Sequence, residues 1–119
     1  ISELVLMSKV SDILVAESMG LIVGVVARKK DRIFSLFVDT KQQRTGIGTA
    51  LLQKAEQLAQ KEGVYKMKIR ASLFAVPFYL KHGYKKSTGV VSAHGLLYQP
   101  VIKILNPLQN LEITARGSL

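Results

Sequence analysis

The chain is 119 residues long, 48% hydrophobic, free of cysteine, and carries a formal charge of +9. This composition excludes a disulfide scaffold, thiolate-bound zinc and a cysteine nucleophile, and it fits a single cytoplasmic domain, residues 1–119, able to bury a core without a covalent staple. No signal peptide is visible, and the longest apolar run, near Gly20 to Ala27, is too short to span a membrane.

The charge is uneven. From Val64 onward there are eight Lys or Arg and one acid, Glu112. Such a bias favours an anionic partner (nucleic acid, a phosphorylated cofactor or an acidic surface) or else a solvated basic face.

In chain order, residues 12–17, 21–28 and 33–38 read as three strands. They are rich in Val, Ile and Phe and bounded by the turn segments SMG and RKKDR, the pattern of an antiparallel meander. A helix follows, because Ile47, Leu51, Ala55 and Leu58 fall on one stripe of a 3.6-residue period, and Gly63 stands at its C-terminal cap. Residues 64–71 alternate: Tyr65, Met67, Ile69 and Ala71 on one side, Lys66, Lys68 and Arg70 on the other, which is a half-buried strand. A shorter helix is expected over 74–82, with Pro77 near its start and Gly83 at its end. Two further strands are expected at 86–91 and 96–105. Pro100 lies in the second and implies an edge or a bulge there. Residues 106–119 read as a tail, leaving a core of about 12–105.

The glycines of Gln43-Arg44-Thr45-Gly46-Ile47-Gly48-Thr49 need a reason, since Gly in a first helical turn costs up to about 1 kcal/mol relative to Ala. The first N–H groups of a helix lack internal partners and carry the positive end of its dipole. Without a Cβ at Gly46 or Gly48 an anion can approach them closely, and Arg44 adds a full charge. No Gly-x-x-x-x-Gly-Lys-Ser/Thr run exists, and Leu51 occupies the third glycine position of a dinucleotide fingerprint, so both common phosphate loops are excluded.

The arrangement resembles the GNAT superfamily of acetyl-CoA-dependent N-acetyltransferases. Its Gln/Arg-x-x-Gly-x-Gly/Ala signature is matched by Gln43, Gly46 and Gly48, with Val38 ending the preceding strand five residues earlier. Its second motif is matched by Ser72, Ala75, Phe78, Tyr79, Gly83 and Tyr84, and the likeness runs over about residues 13–105. The resemblance implies an α+β fold: a mixed, mostly antiparallel sheet flanked by helices and splayed between its two central strands, 33–38 and 64–71. Family domains usually open with a strand and two helices that build one wall of the acceptor site. With about a dozen residues before the 12–17 strand, that region is expected to be shortened, and Ser2 to Val10 to be the end of one of its helices.

The resemblance further implies acetyl-CoA as co-substrate and direct transfer of its acetyl group to a primary amine, the acceptor itself staying open. Leu36, Phe37 and Val38 would pair through their backbone with the pantetheine arm. The N–H groups from Gln43 through Arg44, Thr45, Gly46, Ile47 and Gly48 to Thr49 would hold the pyrophosphate. Ser72 stands where many relatives have an asparagine touching the cofactor arm. Tyr79 is expected to protonate the departing thiolate, contributing about 10²-fold. A lysine amine costs about 4.6 kcal/mol to deprotonate at pH 7, an α-amino group about 1. Glu17, Asp39 or water are the candidate bases. His94 is a candidate for base or pocket wall, whereas His82 reads as structural.

Two rival readings accompany this one. A non-catalytic acyl-CoA-binding module would share the loop, although Tyr79 argues against it. A nucleic-acid-binding domain would explain the charge, but Tyr65 is expected opposite the basic side of its strand, so aromatics and cations do not interleave. A homodimer through an exposed sheet edge is also expected to be available.

Overall fold

The computed structural model describes residues 4–10, 13–42 and 45–106, the first of these segments by its backbone alone. Its strands are β1 (Leu4–Val10), β2 (Ile13–Ser18), β3 (Leu21–Lys29), β4 (Arg32–Val38), β5 (Lys66–Ser72), β6 (Lys85–Lys86), β7 (Val91–Ala93) and β8 (Leu96–Ile104). Helix α1 (Ile47–Lys61) joins β4 to β5, and α2 (Val76–Lys81) follows β5. They form one mixed sheet in the order β1-β2-β3-β4-β5-β8-β6, with β7 also on β8. Among the described residues only the β4–β5 pairing is parallel.

The first four strands form the expected meander. Met19 and Gly20 both take positive φ, +52° and +80°, in the two-residue turn between β2 and β3, the twist that matches paired strands. Leu14, Ala16, Val23 and Val26 face α1 and are buried with its Ile47, Leu51, Leu52, Ala55 and Ala59. Leu58, expected on the same stripe, sits at the margin of that contact. Gly24 lets the helix come close: a Cβ there would lie 2.9 Å from Leu51 Cδ1 and 3.0 Å from Ile47 Cγ2. Gly63, at φ +86°, ends α1, and the next N–H, of Val64, bonds back to Ala59 O at 3.0 Å.

Four expectations need correction. Residues within 2–10 are a strand, not a helix end: β1 pairs antiparallel with β2 from Leu4–Ser18 to Val10–Ile13, supplying partners for backbone groups along the β2 edge. Tyr65 precedes β5 and is 66% exposed instead of joining the buried side with Met67, Ile69 and Ala71. The predicted strand at 86–91 divides into β6 and β7, because Ser87, Thr88 and Gly89 turn the chain between them. Strand β8 is interior, flanked by β5 on one side and by β6 and β7 on the other. Pro100 is tolerated there because its carbonyl accepts Ser87 N–H (3.1 Å). Its nitrogen therefore faces the same side, at the break between β6 and β7, where no ladder bond is lost.

The second helix is shorter than expected. Pro77 has no N–H to offer Leu73 O, so Leu73–Ala75 tightens into a 3-10 turn before α2 begins at Val76. Of the predicted tail, 106–119, residues 107–119 lie outside the described residues.

Candidate active site

The parallel pairing of β4 with β5 is confined to Arg32–Lys68 and Ile33–Ile69. Beyond it the strands diverge, as the splayed sheet required. The resulting cleft, about 200 Å³, has Phe34, Leu36 and Phe37 on one wall and Ala71, Ser72 and Tyr79 on the other. β4 stays bonded to β3 along its other edge through Val38. Asp39 N–H donates to Val23 O at 2.8 Å, toward β3. Strand alternation then turns the N–H and C=O of Leu36 and Val38 the opposite way, into the cleft, without a strand partner. Phe37 is 69% exposed at the cleft mouth.

The end of β4 meets the start of α1, where Val38 Cγ2 lies 3.5 Å from the place of a Gly48 Cβ. Gly46 is the N-cap of that helix, at φ +89°, a left-handed conformation that a side chain disfavours. Among the described residues no side chain caps this end, and its first turn holds no acid, so its leading N–H groups suit an anion. Thr45 Oγ1 donates to Gln42 O and stabilises the approach. Ile47 is buried in the core and offers the site only its backbone. Gly48 lies in the first turn of α1. A Cβ there would lie 3.5 Å from Phe78 Cζ and from Val38 Cγ2, an ordinary van der Waals contact, so the first turn of α1 packs beside α2 and β4. Gln43 and Arg44 lie outside the described residues.

Tyr79 comes from α2. The helix is held at its entry by Ser72, whose Oγ accepts Ala75 N–H at 3.2 Å while the residue also lines the cleft. The Tyr79 ring packs edge-on against Phe78 (5.3 Å between centroids) and Tyr84 (5.7 Å). Burial pushes its phenol up to about 12, so it is a loaded proton donor at neutral pH. Behind it, Tyr84 Oη donates to buried Glu56 Oε2 at 2.8 Å, and Lys103 Nζ donates to Glu56 Oε1 at 3.0 Å. Burial first, then the Glu56 charge and hydrogen bond, push the Tyr84 phenol far up. These three side chains form a closed polar cluster that fixes the floor under the Tyr79 ring.

His82, just past α2, stacks on Phe78 at 4.7 Å and lies 3.1 Å from Thr49 Oγ1 through Nε2. Burial, then Lys81 and Lys103, lower its pKa against the opposing pull of Glu56. It thus ties the start of α1 to the end of α2, a link that sequence spacing did not reveal. His94 is the first residue of the two-residue turn between β7 and β8, with φ +52°, and does not line the cleft. Neither do Glu17 and Asp39, and the Asp39 carboxylate accepts Lys41 N–H at 2.9 Å. Tyr98 was missed. From β8 it lies under Arg70, 5.5 Å from guanidinium carbon to ring centre, so the basic face of β5 does carry an aromatic. Counting alternation back from Pro100 along β8 was the signal that could have found it. Among the described residues no group of three or more His, Asp or Glu is placed to hold a metal, and no helix is long and apolar enough to cross a membrane.

A family profile described as an acetyltransferase (GNAT) domain matches residues 3–105. Among solved structures, a GCN5-related N-acetyltransferase from Rhodopseudomonas palustris is 31% identical, with a TM-score of 0.73 over 78% of this chain and 61% of its own. An acetyltransferase from Bacillus cereus is 32% identical, with a TM-score of 0.67 over 78% of this chain and 71% of its own. A Thermoplasma acidophilum PaiA N-acetyltransferase in complex with coenzyme A shares the fold at 20% identity, with a TM-score of 0.61 over 77% of this chain and 59% of its own. The chain thus spans about three fifths to seven tenths of the length of these relatives. No curated protein matches it significantly in sequence.

Proposed function

Because the chain belongs to the GNAT acetyltransferase family, we propose that it carries acetyl groups from acetyl-CoA to the nitrogen of a primary amine. The observation that carries this reading is the splay of β4 from β5, with Tyr79 in the cleft wall and the end of β4 meeting the start of α1, which no described side chain caps. The coenzyme A in the PaiA relative supports the same co-substrate here. A cysteine-free composition supports a cytoplasmic setting.

In this reading Leu36 and Val38 bind the amide-bearing arm through free backbone groups, and Phe37 supplies apolar cover. The N–H groups of the first turn of α1 hold the pyrophosphate, helped by the Thr49 hydroxyl that His82 orients. Gln43 and Arg44 are proposed for the same end on sequence grounds. Ser72 keeps its hydroxyl proton for the arm, because its oxygen lone pair is what engages Ala75 N–H. The thioester supplies an activated acyl carbon. The amine nitrogen forms a bond to that carbon, the carbon–sulfur bond breaks, Tyr79 donates toward the sulfur, and the proton released by nitrogen restores the balance. Among the described residues no carboxylate or imidazole lines the cleft; in this reading the amine arrives neutral or yields its proton to water, which favours acceptors of low pKa.

Calorimetric titration with acetyl-CoA at two salt concentrations, followed by a thiol-release assay over an amine panel, tests the proposal. Micromolar, stoichiometric binding with turnover is expected. Absence of binding at both salts refutes it, and binding without turnover on any amine replaces it with the non-catalytic module.

A further inference from the structure

We propose that the acceptor amine also carries an anionic group, a carboxylate or a phosphate, held by Arg32, Lys68 and Arg70 on the sheet face turned away from α1 and α2. The inference rests on the acetyltransferase reading and narrows its substrate class.

The alternation of β5 buries Met67, Ile69 and Ala71 toward the helices and turns Lys68 and Arg70 to the opposite face. Arg32 is in register with Lys68 across the short parallel pairing. These three cations line a concavity of about 330 Å³ together with Ser87, Thr88 and Tyr98. The concavity and the cleft share Ile69 and Arg70 as walls, so a ligand in one adjoins the other. A small molecule can therefore present its amine to the cleft and its anion to the concavity.

The electrostatics of this face are unfinished. Lys68 pairs with Asp31 at 3.4 Å, both about half exposed. Among the described residues Arg32 and Arg70 have no carboxylate partner. Three cations and one carboxylate leave a formal +2 in one hollow. Like charges placed side by side on a sheet face destabilise it, and a bound anion relieves them. A merely solvated face would leave its cations free to move apart. Here Arg70 is pinned over Tyr98, and the guanidinium forks of two arginines suit a planar carboxylate or a phosphate. That stacking also occupies the ring, so Tyr98 offers no open platform to a nucleic-acid base.

Three probes share an aminoethyl group and differ at the other end: ethanolamine, β-alanine and phosphoethanolamine. Each is titrated into the chain loaded with CoA, the unreactive product, and backbone amide shifts are followed by NMR. β-Alanine or phosphoethanolamine, whichever matches the anion preferred, is expected to bind about tenfold more tightly than ethanolamine, with shifts centred on Arg70, Ser87 and Thr88. Arg32→Gln and Arg70→Gln are each expected to erase most of that advantage, and Arg32→Lys to retain part of it. Equal binding of all three probes overturns the proposal. So do shifts elsewhere, or an advantage that survives both glutamine variants. If CoA itself fails to bind, the acetyltransferase reading falls, and the same comparison on the unloaded chain still decides whether the hollow takes anions.

Discussion

Tyr79→Phe isolates one hydroxyl. Among the described residues that hydroxyl has no hydrogen-bond partner, and the edge-on contacts of the ring with Phe78 and Tyr84 survive the substitution. The fold therefore loses little. The chemistry loses a donor held protonated by burial, its pKa near 12. Full proton transfer from that phenol to a thiolate of pKa about 8.5 is uphill by about 3.5 pKa units, or about 5 kcal/mol. What Tyr79 offers early in the step is thus a charge-assisted hydrogen bond to sulfur, with the proton following once nitrogen can replace it. Such a bond contributes about 1.5–3 kcal/mol, which converts to roughly 10- to 150-fold in kcat. Single-turnover acetyl transfer to the best amine of the panel measures the rate, beside calorimetry for acetyl-CoA and a thermal melt. The expected result is a slower chemical step at unchanged affinity and unchanged Tm. A rate within twofold of the parent refutes the donor role. So does a loss that appears in acetyl-CoA affinity instead of in the rate.

Gly46→Ala forces a side chain into φ +89° and is expected to cost about 1–2 kcal/mol in urea unfolding, with weaker acetyl-CoA binding by calorimetry, because the α1 start must shift. Tyr84→Phe leaves Glu56 with Lys103 alone and is expected to cost about 1–3 kcal/mol of unfolding free energy; an unchanged urea midpoint would remove the cluster's supporting role. Stability is expected to fall as pH rises from about 10 to about 12. Over that window the unfolded chain releases the Tyr79 proton and the folded chain keeps it, which is worth about 2.7 kcal/mol, and Tyr84 acts in the same direction. Urea midpoints that stay level between pH 9 and 11.5 would contradict it.

The parts legible in the sequence are those written in local periodicity. Ile47, Leu51 and Ala55 marked the buried stripe of α1, and Lys68 and Arg70 alternating with Met67 and Ile69 marked the exposed side of β5. Gly46 was read from its sequence as room for an anion, and the structure adds a left-handed φ of +89° that a side chain disfavours. What stayed hidden depends on neighbours distant in sequence. Thr49 meets His82 across 33 positions, and Glu56 meets Lys103 across 47. The Gly48 environment belongs to the same class, since Phe78 is known to face it only after α2 has docked. The Ser2 to Val10 segment misled because a short apolar run suits a helix end or an edge strand equally well. Its assignment came from the open edge of β2, a property of the sheet.

The shortness of α2 has a mechanical consequence. Tyr79 and His82 stand three residues apart at its end, and His82 N–H bonds to Tyr79 O at 3.0 Å. The residue that reaches the cleft and the residue that reaches Thr49 are therefore carried by one rigid turn. Phe78, one residue before Tyr79, faces the Gly48 position of α1 and contacts the Tyr79 and His82 rings. Any displacement of the first turn of α1 is transmitted through Thr49 and Phe78 to the turn that bears Tyr79, because close-packed contacts transmit strain over such distances. Under the proposed function, an anion settled on the α1 N–H groups would help to fix the phenol in the wall of the cleft. In the same reading, binding at the phosphate end and orientation at the reacting end are coupled through α2 and the His82 turn that follows it, a route by which remote binding energy reaches the chemical step.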